Sequence, residues 1–145
     1  MNFAKTFIMG TLATALTLSS LSSKAEGDLT TRPTKLPDLV LGTEDNRYQL
    51  SHKEYQLETG KAYKLKIVSS GQTEYAFQAP EFFASIFLRK LEAGDMEIKT
   101  MTVTELEFEQ EAEAEIYFVP LQPGSFEFYA EGLEDKGMEG VFTIK

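Results

Sequence analysis

An all-β sandwich with one short helical segment is the fold class this sequence predicts, and three observations carry the prediction. Polar and apolar residues alternate in "YKLKIVSS", residues 63–70. Similar short runs recur along the chain with turn residues between them. The C-terminal end reads as three strands in succession, "AEIYFVP", "GSFEFYA" and "GVFTIK". Alternation at period two is what a strand with one buried face requires, because successive side chains point to opposite faces. Many short strands joined by turns then make a sandwich.

Taken in order, residues 1–25 read as a leader rather than as part of the fold. Lys5 supplies a basic start, Thr6 to Leu18 is apolar, and Ser23-Lys24-Ala25 places small residues where a signal peptidase cuts. The apolar run is 13 residues, short of the roughly 20 needed to span a bilayer. Cleavage after Ala25 and export to the periplasm are expected. Residues 26–46 are polar, carry Pro33 and Pro37, and lack a period. They read as a tether with one short strand at Leu39 to Leu41. The domain proper is expected over 47–145. Within it, Tyr63, Leu65 and Ile67 face one way, while Lys64, Lys66 and Val68 face the other. Turns are expected at Glu58-Thr59-Gly60 and Ser70-Gly71-Gln72. Pro80 suits the first position of a helical turn, and Phe82, Phe83, Ile86 and Phe87 continue its spacing. That turn is expected to pass into a strand at Ile86 to Leu91. A tight turn at Leu121 to Gly124 separates the first two closing strands.

Composition narrows the function. The chain carries 14 basic and 23 acidic residues, a net charge of −9. Loss of Lys5 and Lys24 with the leader would leave 12 against 23, a net of −11. Nucleic acid and anionic membrane are poor partners for such a surface, since phosphate binding needs clusters of Lys and Arg. Cations or a basic protein surface suit it. There is no cysteine, hence no disulfide, no thiolate ligand or nucleophile, and no thiol to carry a lipid anchor. His52 is the single histidine, and "LSHKEYQL" around it reads as exposed chain. No triad, nucleotide loop or zinc spacing accompanies it. An enzyme is not expected.

Two features invite a sharper reading beside a bland one. In "ELEFEQEAEAE", Glu105, Glu107, Glu109, Glu111, Glu113 and Glu115 recur at every second residue. A continuous strand would align all six on one face, with Leu106, Phe108, Ala112 and Ala114 turned inward and a turn near Gln110. The bland reading is a solvated strand face that keeps the domain in solution. The sharper one is a docking face for a basic partner, or a weak site for hard cations. Met96 and Met101 offer thioethers that suit cuprous ion, but methionine is also an ordinary filler of core gaps. The filler reading is preferred for both.

The last residues, "YFVPLQPGSFEFYAEGLEDKGMEGVFTIK", resemble the C-terminal half of the cupredoxins. Pro123-Gly124-Ser125-Phe126 and Phe128-Tyr129 match that family's approach to its metal loop, and Gly137-Met138-Glu139-Gly140 match the exit. "ETGKAYKLKIVSSGQTEYAFQAPEF" looks like the strand and loop that supply the family's first histidine. The similarity runs from about Tyr48 to Lys145 and implies a Greek-key β-sandwich. It also implies that the ligand set is mostly lost. The family's cysteine falls on Ala130, its next histidine on Leu133, and its first histidine near Tyr75. Only the axial methionine remains, as Met138. A blue-copper centre needs the thiolate and two imidazoles, with methionine as a weak axial contact, so no such centre is expected. "EYAFQAPEFF" resembles divergent cupredoxin-like domains of bacterial periplasmic metal uptake, especially of iron. That resemblance implies handling of copper or iron beside a membrane transport partner, with Glu74, Tyr75, Glu81 and Met138 as candidate ligands. Core packing is the competing reading of Tyr75, Phe77, Phe82, Phe83 and Met138.

Overall fold

In the computed structural model, which describes residues 31–145, the strand read at 63–70 forms with Tyr63, Leu65, Ile67 and Ser69 buried and the residues between them partly exposed. The leader read at 1–25 lies outside the described residues, as do 26–30. Eleven strands follow one another among the described residues: β1 (Thr34–Lys35), β2 (Leu39–Leu41), β3 (Glu54–Leu57), β4 (Tyr63–Ser70), β5 (Tyr75–Gln78), β6 (Ile86–Ala93), β7 (Met96–Ile98), β8 (Leu106–Phe108), β9 (Glu111–Pro120), β10 (Gly124–Ala130) and β11 (Glu139–Ile144). One short helix, α1 (Pro80–Ala84), stands between β5 and β6, and a 3-10 turn, η1 (Glu134–Lys136), between β10 and β11. The expected helical turn and its following strand are therefore both present.

The strands form two sheets. Sheet one runs β1-β4-β9-β6-β7, with β2 in line with β1 along the same edge of β4. Sheet two runs β3-β11-β10-β5-β8. From β2 to β6 the chain alternates between sheets, so the sandwich is stitched together by its connections as well as by its core.

Aromatic rings fill the space between the sheets. Phe82 stacks on Phe142 at 4.1 Å between centroids and meets Phe118 edge-on at 5.2 Å. Phe142 also contacts Phe128 at 4.8 Å and Tyr55 at 5.4 Å. Helix α1 has five residues and no side-chain cap, too short to be stable alone. Burial of Phe82 and Phe83 holds it, each ring contributing about 1.5–3 kcal/mol. The core-packing reading of Phe77, Phe82 and Phe83 fits their near-complete burial.

Three expectations require correction. Met96 and Met101, read as fillers of core gaps, are both exposed and fill none. The short strand expected at Leu39 to Leu41 is present as β2, but from Thr34 onward the stretch read as a tether is built into sheet one. Both β1 and β2 pair parallel with β4, and Leu36, Leu39 and Leu41 lie in the core. Three buried leucines outweigh a polar, proline-bearing composition. The glutamate row, in turn, is not one face. A bend at Glu109–Gln110 separates β8 in sheet two from β9 in sheet one, so the six carboxylates divide between opposite sides of the sandwich.

Two of those on β9, Glu113 and Glu115, meet lysines of β4. Lys64 Nζ donates to Glu115 Oε1 at 2.8 Å, and Lys66 Nζ to Glu113 Oε2 at 2.8 Å. Lys90 pairs with Glu92 and, at 3.0 Å, with Glu97. Tyr117 lies between two cations, Lys90 at 4.4 Å and Lys64 at 5.5 Å from its ring centre, and its hydroxyl reaches Glu115 at 2.7 Å. Burial pushes the Glu115 carboxyl up, but the hydrogen bonds from Lys64 and Tyr117 outweigh it and hold it below the usual carboxylate range. Such a group stabilises the fold above its unfolded pKa, and the contribution is lost as pH falls through the folded value. Glu115→Gln should therefore cost about 1–2 kcal/mol at pH 7. The difference from the parent should begin to shrink below the ordinary glutamate pKa and vanish only below the lowered folded value, as urea titrations at a series of pH values would show. A deficit that stays constant with pH would assign the effect to packing.

Candidate metal-loop site

The loop that the cupredoxins use for metal is closed here by its own backbone. Ala130 ends β10 and is buried. Its N–H donates to Met138 O at 2.9 Å, and its carbonyl accepts from Leu133 N–H at 3.0 Å. Met138 N–H returns to Leu133 O at 3.2 Å. The η1 turn spans the middle and ends at Gly137, whose φ of 83° is the left-handed conformation that closes such turns. Glu131 N–H bonds Ala76 O at 2.9 Å, tying the loop to β5.

Gly140 has a different task. A Cβ there would run into Phe128 and into the Lys53 carbonyl, which already accepts Val141 N–H at 2.8 Å. The Gly-Met-x-Gly signature is thus one turn glycine, one core residue and one glycine demanded by close approach. None of the three roles needs a metal.

The four candidate ligands do not converge. Met138 is fully buried. Tyr75 is also fully buried, and its hydroxyl donates to Arg47 O at 2.8 Å with Ser70 Oγ at 3.4 Å. Glu74 is exposed at the start of β5, beside Tyr75. Glu81 is exposed beyond the other end of β5, beside Pro80, Glu127 and Tyr129. The four residues of β5 alone span roughly 13 Å, so Glu74 and Glu81 flank a strand instead of facing each other. No group of three His, Cys, Asp or Glu side chains able to hold a metal occurs among the described residues. His52 has its Nδ1 at 3.0 Å from Ser51 Oγ and its ring 5.8 Å from that of Tyr55.

Sequence reasoning missed the cap over Tyr75. Gly42 packs against the Tyr75 hydroxyl, and the segment that follows it carries the Arg47 carbonyl that the hydroxyl bonds. The partner of Gly42 is distant in sequence and cannot be read from neighbouring residues.

No family model matches the sequence, and no characterised protein matches it by sequence. Solved structures do match in shape. A multicopper oxidase from Pseudomonas thermotolerans superposes with a TM-score of 0.57 at 11% identity, covering 78% of this chain and 30% of that one. A laccase from Pediococcus acidilactici gives 0.56 at 10% identity, covering 82% and 28%. The metallo-oxidase from Campylobacter jejuni gives 0.54 at 10% identity, covering 80% and 31%. The chain has the cupredoxin fold.

This cupredoxin-fold chain spans about a third of the length of such oxidases. At these identities the likeness establishes the fold alone. The residues that the sequence resemblance sets at the cupredoxin ligand positions do not fit a blue-copper ion. The side chains of Ala130 and Leu133 offer only carbon, and the Tyr75 hydroxyl is spent on a backbone carbonyl. The Met138 thioether remains as a lone soft donor, and a weak axial contact does not hold copper without the others. Among the described residues no helix is long and apolar enough to cross a membrane.

Proposed function

We propose that this is a periplasmic, non-enzymatic cupredoxin-fold module that acts by docking a basic partner, with no blue-copper electron-transfer centre. The observation that carries this reading is the closed loop. Its ligand positions hold Ala130 and Leu133, its Met138 is buried, and its backbone groups are bonded to one another. A loop spent on its own packing leaves the surface as the functional part. The net charge of −9 then favours a cationic counterpart. The non-enzymatic part of this reading is supported by the surroundings of His52, where the one neighbouring hydroxyl, Ser51 Oγ at 3.0 Å, is already held by Asp38 O and Val40 N–H.

A second reading is delivery of copper or iron as an accessory to metal uptake, with a membrane transport protein as partner. It is favoured by one observation, that the similar folds are those of copper oxidases. Its ligands would be drawn from Glu74, Tyr75, Glu81 and Met138, which would have to gather from the separated positions described above. Calorimetric titration of the purified protein with cupric, cuprous, ferrous and ferric ions separates the two. The docking reading expects only weak, salt-sensitive association with every ion. Stoichiometric binding that Glu74→Gln or Met138→Leu abolishes would establish metal delivery in its place.

A further inference from the structure

The two outer faces of the sandwich treat their charges in opposite ways. On sheet one, Lys64, Lys66 and Lys90 each meet a carboxylate, and Tyr117 bridges their partners. Those three lysines are held in ion pairs, so the negative charge of that face is partly offset. On sheet two the outward residues of β10 and β11 are Ser125, Glu127, Tyr129 and Glu139, Val141, Thr143. The register sets Glu127 opposite Val141 and Tyr129 opposite Glu139. Aromatic, aliphatic and acidic side chains therefore form a checkerboard. It borders a groove of about 390 Å³ that also touches Lys53 and Ser125. A second depression of about 210 Å³ shares Glu127 and Tyr129 and continues to Pro80 and Glu81. Glu81, Glu127 and Glu139 have no ion-pair partner among the described residues, in contrast to Glu92, Glu113 and Glu115 on sheet one.

Tyr129 is held in place. Its hydroxyl donates to Gln78 Oε1 at 3.2 Å, and the Gln78 amide nitrogen donates to Glu105 at 2.6 Å and Glu131 at 2.7 Å. A ring fixed at one end and flanked by free carboxylates is ready to receive a cation on its face. We infer that the groove across sheet two, from Glu81 past Tyr129 and Glu127 to Glu139, is the docking surface for an extended arginine- or lysine-rich segment of a partner protein. This rests on the docking reading above and relocates it. The surface is the checkerboard of β10 and β11, and the part of the glutamate row on β9, Glu111 to Glu115, is not the site. Val141 and the Tyr129 ring cover the aliphatic stems of long basic side chains, while the carboxylates take their charged ends.

The test uses the full chain and a labelled synthetic peptide alternating Arg and Ser, with binding followed by fluorescence anisotropy at low and high salt. Glu127→Lys with Glu139→Lys should weaken binding about tenfold or more, equivalent to about 1.4 kcal/mol. Glu109→Lys with Glu111→Lys makes the same change in net charge on the glutamate row and should alter affinity less than about twofold, leaving the groove intact. Tyr129→Phe keeps the ring but loses its anchor to Gln78, and should weaken binding less than Tyr129→Ala does. Circular dichroism confirms that each variant is folded. Equal losses in the two charge-reversal pairs would overturn the groove while leaving docking by net charge in place. Absence of salt-dependent binding by the parent chain would sink the docking reading itself.

Discussion

Gly42→Ala is expected to destabilise the domain by about 2–5 kcal/mol and to lower its melting temperature by more than about 10 °C. Two independent costs add at this position. Gly42 sits at φ +73°, where an L-residue costs about 1–2 kcal/mol. Its missing side chain also leaves the room in which the Tyr75 hydroxyl lies. An added Cβ would press on that oxygen and stand 2.6 Å from Ser70 Oγ. Tyr75 cannot yield cheaply, because its ring is fully buried and its hydroxyl is bonded to Arg47 O. Overpacking of this kind costs about 1–3 kcal/mol. Gly132→Ala supplies the comparison. Gly132 has φ +76° but nothing within 4 Å of its Cβ position, so it should show the backbone cost alone. Tyr75→Phe in the Gly42→Ala background removes the oxygen that clashes, and the pair should be less than additive in urea midpoints. Additive losses would remove the contact from the account and leave only backbone strain. The same pair speaks to function, since a Tyr75 whose hydroxyl serves the Gly42 cap is not available to a metal.

Much of this architecture is written in local pattern. Strand β4, the three closing strands and the turn at Pro80 follow from alternation, from proline placement and from paired phenylalanines, all within a few residues of one another. The closing loop was legible too, because Pro123-Gly124 and Gly137-Met138-Glu139-Gly140 are geometric demands that survive loss of the metal ligands. What local pattern misses is partnership across the sheets. Leu36, Leu39 and Leu41 are separated by Pro37, Asp38 and Val40, and only the parallel pairing with β4 shows that they are core. The glutamate spacing is genuinely of period two on both sides of Gln110. Membership of β8 and β9 in different sheets depends on long-range pairing with β5 and β4. Glu74 and Glu81 are close in sequence and separated in space because β5 lies between them. Alternation along β10 and β11 turns Glu127, Tyr129, Glu139 and Val141 outward, but their meeting in one groove needs the register of β10 on β11.

Met138→Ala should cost about 2–5 kcal/mol, and Met138→Leu less than about 1.5 kcal/mol. The contrast separates the two roles a buried methionine can have in this fold. Met138 is fully buried within the main core cluster, while its N–H and carbonyl already serve the loop through Leu133 and Ala130. Its side chain is then a volume requirement. Truncation to alanine leaves a void that the rigid aromatic core cannot close, whereas leucine restores nearly the same volume without sulfur. Hydrogen exchange offers a local check. The amides of Ala130 and Met138, bonded inside the loop, should lose protection in the alanine variant beyond the global loss and keep it in the leucine variant. Should the leucine variant be as unstable as the alanine one, volume would not be the reason for methionine. Loss of cuprous ion binding in a stable leucine variant would place sulfur chemistry back in the loop. With leucine tolerated and no metal affinity to lose, the loop works as a structural closure. The chemistry of this cupredoxin-fold chain is then to be sought on its acidic outer face.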